Sequence, residues 1–590
     1  MATTIHPHNE STPDPDDHRP PTTDEVVADE ELHPALECPV EAEDVGGGID
    51  KIVFGVTAAI AVAFLIWGFV STSSLSSTSS SALSWTVTNA GWLFVLTASA
   101  FVVFVIYLAI GKYGDIRLGN DYEKPEFRTI SWIAMMFSAG MGIGLMFWGA
   151  AEPIYHFTGP PPGSAEAGSD EAIRTAMATT LFHWTLHPWA IYAVLGIAVA
   201  YSVYRKGRPQ LISAVFTPLF GERAMKGPGG KVIDILAIFA TLFGSAASLG
   251  LGALQIGSGL QIVGWLGTAG NAALVGIITF LTICFIISAV SGIERGIQWL
   301  SNTNMVLALV LAVFVFVAGP TIFILDLLPT AVGSYAQDMF AMSARTDAAG
   351  GDAMAEWLGS WTIFYWAWWL SWTPFVGLFI ARISRGRTIR QFVTGVLLVP
   401  SLVSLVWFCI FGGTAIFQQR EGTDLAAAAS PESMLFTVLD GLPISTITSV
   451  LVMILVAIFF VSGADAASIV MGTLSEKGTI EPSRFTVVFW GVATGGVAAI
   501  MLLLGDSDDR GSALTGLQNL TIVAALPFVL VMIGLCVALM KDLRNDPLIV
   551  RRKYGTWAVE HAVVDGVTKH GDDFSLTVEQ NGEGAKRYHE

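Results

Sequence analysis

The sequence predicts an all-α integral membrane protein with twelve transmembrane helices, and three observations carry that prediction. Of 590 residues, 53% are hydrophobic and 14% charged, where a soluble globular chain carries about 25% charged residues; the mean hydropathy is +0.60. Apolar runs long enough to cross a hydrocarbon core, which takes about 20 residues each, recur from residue 52 to residue 540. Lys and Arg collect in alternate loops between those runs, as they do where one face of a membrane protein is cytoplasmic.

Residues 1–50 hold fourteen acidic residues against Arg19, so −13 of the chain's net −18 lies there. With Pro and Thr and no apolar periodicity, the segment reads as an acidic disordered cytoplasmic tail. It lacks the basic-then-apolar order of a secretory signal. The twelve runs follow at about 52–71, 90–111, 130–151, 176–204, 232–263, 270–292, 303–325, 358–381, 389–414, 447–470, 483–505 and 516–540. The loops after the even-numbered runs hold seventeen basic residues, among them Arg382, Arg385, Arg387 and Arg390; the opposite loops hold Arg174, Arg345, Arg420 and Arg510. Both termini are therefore expected in the cytoplasm, and the uncharged Ser/Thr-rich loop 71–89 outside. Between the seventh and eighth runs, residues 326–346 are too short and polar to span but suit an interfacial helix. In the C-terminal tail, Ala558 to Val578 alternates enough to suggest a small strand pair.

Several function classes lack their residues. Cys284, Cys409 and Cys536 sit inside apolar runs and read as buried hydrophobes, leaving Cys38 alone in the tail, so no disulfide framework or metal cluster is expected. No Lys/Arg stripe with interleaved aromatics suggests nucleic acid. GxSxG, GxxxxGK[ST] and dinucleotide fingerprints are absent, so neither a hydrolase nor an ATP-driven pump is expected. His183 and His187 stand four apart, but Trp184 occupies the position where an HExxH site needs its glutamate, and only His156 joins them. No enzyme and no cofactor are expected.

Charges inside apolar runs are costly and point to function by default. Asp465 lies within the tenth run. Glu152, before Pro153 at the end of the third run, and Asp234, at the mouth of the fifth, read more simply as groups satisfied by backbone or a nearby hydroxyl. The third run carries Gly140, Gly142 and Gly144, and glycine costs about 1 kcal/mol relative to alanine in a helix interior. Alternating glycines favour a helix broken at mid-membrane, whose freed carbonyls can ligate a cation; close helix packing is the plainer alternative. On a single fourth helix at about 100° per residue, Trp184, Tyr192 and Trp189 face one sector. In the eighth run Trp361, Tyr365, Trp368 and Trp372 share a face, with Trp369 turned about 100° from it. Interfacial belts place aromatic rings at span ends. These run through span interiors, which favours a cage for a quaternary ammonium.

At these residues the chain resembles the betaine/carnitine/choline transporter family, most closely its sodium-coupled glycine betaine carriers. The resemblance covers about 52–545 and rests on Gly140 to Gly144, His183 to Tyr192, and Trp361 to Phe375 followed by Ala381 to Arg387. It implies two extra N-terminal helices plus a 5+5 inverted-repeat core, with the third and eighth spans broken as repeat partners, in a homotrimer. The organisation is then a tail to 50, two added helices and a loop over 51–125, a first repeat over 126–325, an extracellular interfacial helix and loop over 326–357, a second repeat over 358–541 and a cytoplasmic tail over 542–590. The implied betaine prism is Trp184, Trp189, Tyr192 and Trp369. Trp368 and Trp372 would line the path, with Met141, Ser371 and the glycine stretch Gly140, Gly142 and Gly144 beside the substrate. One implied sodium site uses carbonyls of Ser138, Met141 and Phe459 with Ser462 and the position of Gly463; the other uses Thr241, Ser245 and the ring of Phe375.

Two departures stand out. Gly463 replaces a second hydroxyl on the tenth span, and the C-terminal tail lacks the strongly basic helix of osmoregulated carriers. Gly144 is a glycine where choline-transporting relatives can place an aspartate, which disfavours a bare choline cation. The expected function is sodium-coupled uptake of glycine betaine, or a similar zwitterionic osmolyte, for osmoprotection. The alternatives are an ectoine, proline, choline or carnitine carrier, a sodium-independent exchanger, or a membrane osmosensor.

Overall fold

The computed structural model describes residues 48–576 apart from Met141, 268–269, 292–293, 429 and 505–509. The acidic tail to residue 47 lies outside the described residues, as does any test of its order. Among those described the chain is helical, and its extended pairing is a single isolated bridge, Arg117 to Thr388.

The first span is α1 (Lys51–Val70), whose N-cap Asp50 accepts hydrogen bonds from the N–H groups of Ile52 and Val53. Asp50 also pairs with Lys231 at 2.9 Å, tying the start of α1 to the first turn of a later helix, Pro228–Ile262. The second is α2 (Thr72–Ile110). It begins eighteen residues before the expected apolar run, so 72–89 is helix rather than loop. Ser side chains there bond back to their own helix, as Ser79 Oγ does to the Ser76 carbonyl at 2.9 Å, which lets a polar helix extend an apolar one.

The third run forms α3 (Thr129–Gly140) and α4 (Ile143–Thr158), interrupted where the glycines fall; Gly142 is fully extended at φ −172°, ψ −177°. The fourth run is also interrupted, which its apolar continuity conceals. It consists of α5 (Asp170–Trp184) and α6 (Leu186–Ala200), joined at Thr185 with φ −117°, ψ −108°. Pro188 explains the break: it has no N–H to give, and its ring clashes with the carbonyl four residues back, at Trp184, if the helix continues.

Then come α7 (Pro228–Ile262), α8 (Asn271–Ser291) and α9 (Glu294–Ala318). At Gly319 and Pro320 the chain turns by 109° into α10 (Thr321–Ser343). That sharp turn sets α10 apart from the preceding span, as an interfacial helix requires. The eighth run is α11 (Asp347–Ser360) and α12 (Thr362–Arg382), with the break at Trp361. From Thr362 onward the tryptophan run is one continuous helix, and the interruption falls on its first residue, Trp361. The remaining spans are α13 (Ile389–Arg420), opened by a Thr388/Gln391 capping box, then a short α14 (Met434–Asp440), α15 (Ser445–Ser475), α16 (Arg484–Leu503) and α17 (Arg510–Arg544). Ten described helical stretches, with α5 and α6 taken as one and α11 and α12 as one, are long and apolar enough to cross a membrane, or eleven if α9 and α10 count as one bent span.

The core sits where α12 packs on α6, α13 on α4, and α7 on α15 and α16. Outer faces carry exposed apolar side chains such as Ile66, Phe69, Phe280 and Ile287, the surface a bilayer demands. The basic loops are also built in. Residues 114–118 zip onto 386–390 through Leu118 N–H to the Arg387 carbonyl at 2.8 Å and Ile389 N–H to the Ile116 carbonyl at 2.9 Å. Arg385 pairs with Glu123 at 2.5 Å, and Arg387 lies 4.0 Å over the Trp132 ring.

The described residues from 544 to 576 belong to a separate unit. There, α18 (Pro547–His570) replaces the expected strand pair over most of Ala558 to Val578. The Asp546 side chain caps it, Pro547 starts it, and Asp565 and Lys569 pair one turn apart at 3.3 Å. An isolated two-stranded pair has no sheet to join and is marginal in water, so the capped helix wins.

Candidate functional site

Four helices, α4, α5, α6 and α12, converge on a cluster of rings. Trp184 ends α5, while Trp189 and Tyr192 lie on α6. The three rings are therefore brought together across the Thr185 break rather than along one helical face. Trp184 meets Trp369 of α12 edge-to-face with ring centres 4.9 Å apart, Trp189 meets Tyr192 at 5.3 Å, and Tyr192 reaches Trp369 at 6.4 Å. Trp368 stacks on Trp369 at 4.7 Å, and Trp372 stands edge-on to both.

The three α12 indoles that border the cavity are anchored by their N–H groups. Trp369 donates to the His183 carbonyl at 3.0 Å, Trp368 to Ser248 Oγ at 3.1 Å, and Trp372 to the Gly244 carbonyl at 3.0 Å. Gly144 lets the rings close: a Cβ there would lie 2.8 Å from Trp184 and 2.9 Å from Trp368. The enclosed cavity, bordered also by Gly142 and Pro188, measures about 40 Å³. A water needs about 10–15 Å³ on that measure, so the space between the rings has room for about three waters.

A second cavity of about 180 Å³ lies on the far side of Trp372, which borders both. It brings together Ser245 and Phe375 from one expected cation site with Phe459, Ser462 and Gly463 from the other. Ser462 Oγ donates to the Ile458 carbonyl at 2.9 Å, which leaves its lone pairs for a cation. Around Gly463 an added Cβ would meet nothing within 4 Å. Thr241, one turn before Ser245, is buried and donates to the Ala237 carbonyl at 2.9 Å. Ser371 does not border the ring cavity: it packs against Gly244, where a Cβ would come within 2.6 Å of its own, and its buried hydroxyl has no partner among the described residues. Met141 lies outside the described residues, and so do the side chain of Ser138 and the surroundings of Gly140.

The polar residues behind the rings form a network that the sequence did not bring together: Glu152 read there as a group satisfied by backbone or a nearby hydroxyl, and His183 and His156 as too few for a metal site. Glu152 is fully buried. One carboxyl oxygen accepts from Trp184 Nε1–H at 2.6 Å and from the Tyr365 hydroxyl at 2.5 Å; the other bonds His183 Nδ1 at 2.7 Å, with His156 Nε2 at 3.4 Å. His183 reaches on to Thr362 Oγ1 at 3.0 Å. Glu152, His156 and His183 keep their donor atoms within 4.8 Å of one another, and the Glu152–His183 spacing is that of a hydrogen bond rather than of two ligands on one ion. His187 lies beyond the Thr185 break, stacked on Trp366 at 5.1 Å, so the four-residue histidine spacing does not make a metal pair. The available signal was Glu152 itself, an acid inside an apolar run. Asp234 follows the simpler reading: it accepts from the backbone N–H and hydroxyl of Ser213 at 3.0 and 2.7 Å.

A family model described as the betaine/carnitine/choline family transporter matches residues 52–548. The betaine/ectoine transporter LcoP of Corynebacterium glutamicum is 47% identical over 557 residues, covering 94% of this chain and 88% of its own length. The glycine betaine transporter OpuD of Bacillus subtilis is 44% identical over 494 residues, 84% of this chain and 94% of its own. Glycine betaine transporter 1 of Vibrio parahaemolyticus is 39% identical over 510 residues, 85% and 95% respectively.

Proposed function

This chain belongs to the betaine/carnitine/choline transporter family, a membrane transporter rather than an enzyme, and from that premise we propose that it is a sodium-coupled symporter taking up glycine betaine as an osmolyte. The observation that carries the substrate is the cage of Trp184, Trp189, Tyr192 and Trp369 in the membrane interior. A quaternary ammonium cannot donate a hydrogen bond, so recognition must come from ring faces, each worth about 0.5–2 kcal/mol. Four such contacts select a methylated cation while leaving it releasable. The betaine transporters among the relatives agree with this choice.

Sodium is the coupling ion in this reading because the second cavity lies directly beyond Trp372 and is bordered by the hydroxyls of Ser245 and Ser462, oxygen donors suited to a hard cation, and by the ring of Phe375, whose face attracts a cation. Each sodium entering down 100 mV releases about 2.3 kcal/mol, and a tenfold gradient adds about 1.4 kcal/mol. One ion thus supports accumulation of several hundredfold. Twelve spans with inverted repeats, cytoplasmic termini and a homotrimer complete the proposal. Ectoine is the second substrate to consider, since one relative carries that name as well.

The test is initial uptake into proteoliposomes of betaine, ectoine, proline, carnitine and choline, each with an inward sodium gradient or with potassium in its place. Betaine uptake that is fastest and needs sodium is expected. Equal rates in potassium would replace symport by exchange, and binding without uptake would indicate a receptor.

A further inference from the structure

We propose that Glu152 is a buried counter-charge for the substrate's ammonium group, acting through the indole of Trp184 and fixing that ring. The inference rests on the transport reading above and adds a residue that touches no substrate. Glu152 sits on α4, and the Trp184 ring lies between its carboxyl group and the cage.

The donors around it argue for the ionised form. An indole N–H can only donate, and the Tyr365 hydroxyl gives a second proton to the same carboxyl oxygen, while the other oxygen lies 2.7 Å from His183 Nδ1. Two donors converging on one oxygen suit an acceptor-only carboxylate, and the 2.5 Å Tyr365 contact falls in the range of charge-assisted O–H···O⁻ bonds. Among the described residues no Lys or Arg pairs with Glu152; its ion-pair neighbours are His156 and His183. The negative charge is therefore held by dipoles and not cancelled by a guanidinium.

Two consequences follow from elementary electrostatics. An anion bonded to the indole N–H pushes electron density toward the ring face, which is the face that attracts a cation. In a dry interior that field is screened far less than in water. For a zwitterion the effect also has a direction. The wall formed by Trp184 favours the ammonium end and repels the carboxylate end, so Glu152 helps to decide which way round the substrate lies.

The test measures betaine uptake by wild type, Glu152→Gln, Glu152→Asp and Tyr365→Phe in proteoliposomes. Inhibition by 3,3-dimethylbutanoate, which keeps betaine's shape but has carbon in place of the ammonium nitrogen, is measured alongside. Glu152→Gln is expected to raise the betaine KM about tenfold while kcat changes less and inhibition by the uncharged-head analogue holds within about twofold. Glu152→Asp, which keeps the charge, should recover most of the loss. Should Glu152→Gln fail to reach the membrane, Tyr365→Phe decides: it keeps both charge and indole bond, so betaine must not weaken selectively. An unmoved KM in Glu152→Gln, no recovery in Glu152→Asp, or a selective loss in Tyr365→Phe overturns the proposal. Wild-type uptake, measured first, separates this from the transport reading: its absence sinks that reading, and its presence with any of these results sinks only this one.

Discussion

Trp369 contacts Trp184, Tyr192, Trp368 and Trp372, which places it at the centre of the ring cluster. Trp369→Leu keeps apolar volume and removes the quadrupole, so the half-saturation concentration for betaine should rise at least about tenfold, read from uptake kinetics. Gly144 makes a steric prediction instead. Its Cβ would sit 2.8 Å from Trp184, so Gly144→Ala should displace that ring and also weaken betaine, with tryptophan fluorescence in the unliganded protein shifting at the same time. At Gly463 the space is open. A hydroxyl placed there by Gly463→Ser has room to join Ser462, and sodium activation of uptake should tighten about twofold to tenfold; an unchanged sodium curve would remove position 463 from the cation's surroundings. The ring residues were legible in the sequence because tryptophans in span interiors are conspicuous. Glu152 stood out as an acid in an apolar run but its network did not, because its partners Trp184, Tyr365 and His183 come from two other helices and no spacing along the chain brings them together.

The breaks at Thr185 and Gly142 shape the site at the scale of helices. Glycine alternation announced one; Pro188 could have announced the other, but a continuous apolar run over 176–204 masked it. The Thr185 break lets Trp184 and Trp189 approach from different helices, and a helix-interior proline costs about 3 kcal/mol, enough to impose it. Pro188→Ala should let α5 and α6 draw into line, rotating Trp189 and Tyr192 away from Trp184. Betaine KM should then rise several-fold with helical content by circular dichroism unchanged; an unaltered KM would mean that packing, not proline, holds the break. Apolar periodicity also missed the true start of α2 at Thr72, since serines that bond their own helix leave no hydropathy signal. The same limitation applied to α18, where alternation suggested strands and the Asp546 cap decided for helix.

Across the whole molecule, every expected apolar run falls on described helix over most of its length, because twenty apolar residues in a row have few other folds in a bilayer. Loop charges were legible as a pattern but not as a structure. Arg385 and Arg387 served the sequence reading as markers of sidedness, whereas the fold uses them to clasp Glu123 and the Trp132 ring. The small ring cavity and the larger cavity beyond Trp372 are tertiary products that no local pattern encodes. Together they define the central claim: a betaine cage and a cation cavity that share one tryptophan wall, so that occupancy of one alters affinity at the other. The most direct test is the steady-state ratio of internal to external betaine in proteoliposomes carrying an inward sodium gradient, before and after a sodium ionophore collapses it. The account predicts accumulation of at least about a hundredfold that falls to unity on collapse; a ratio near one throughout, or accumulation that survives the ionophore, would contradict it.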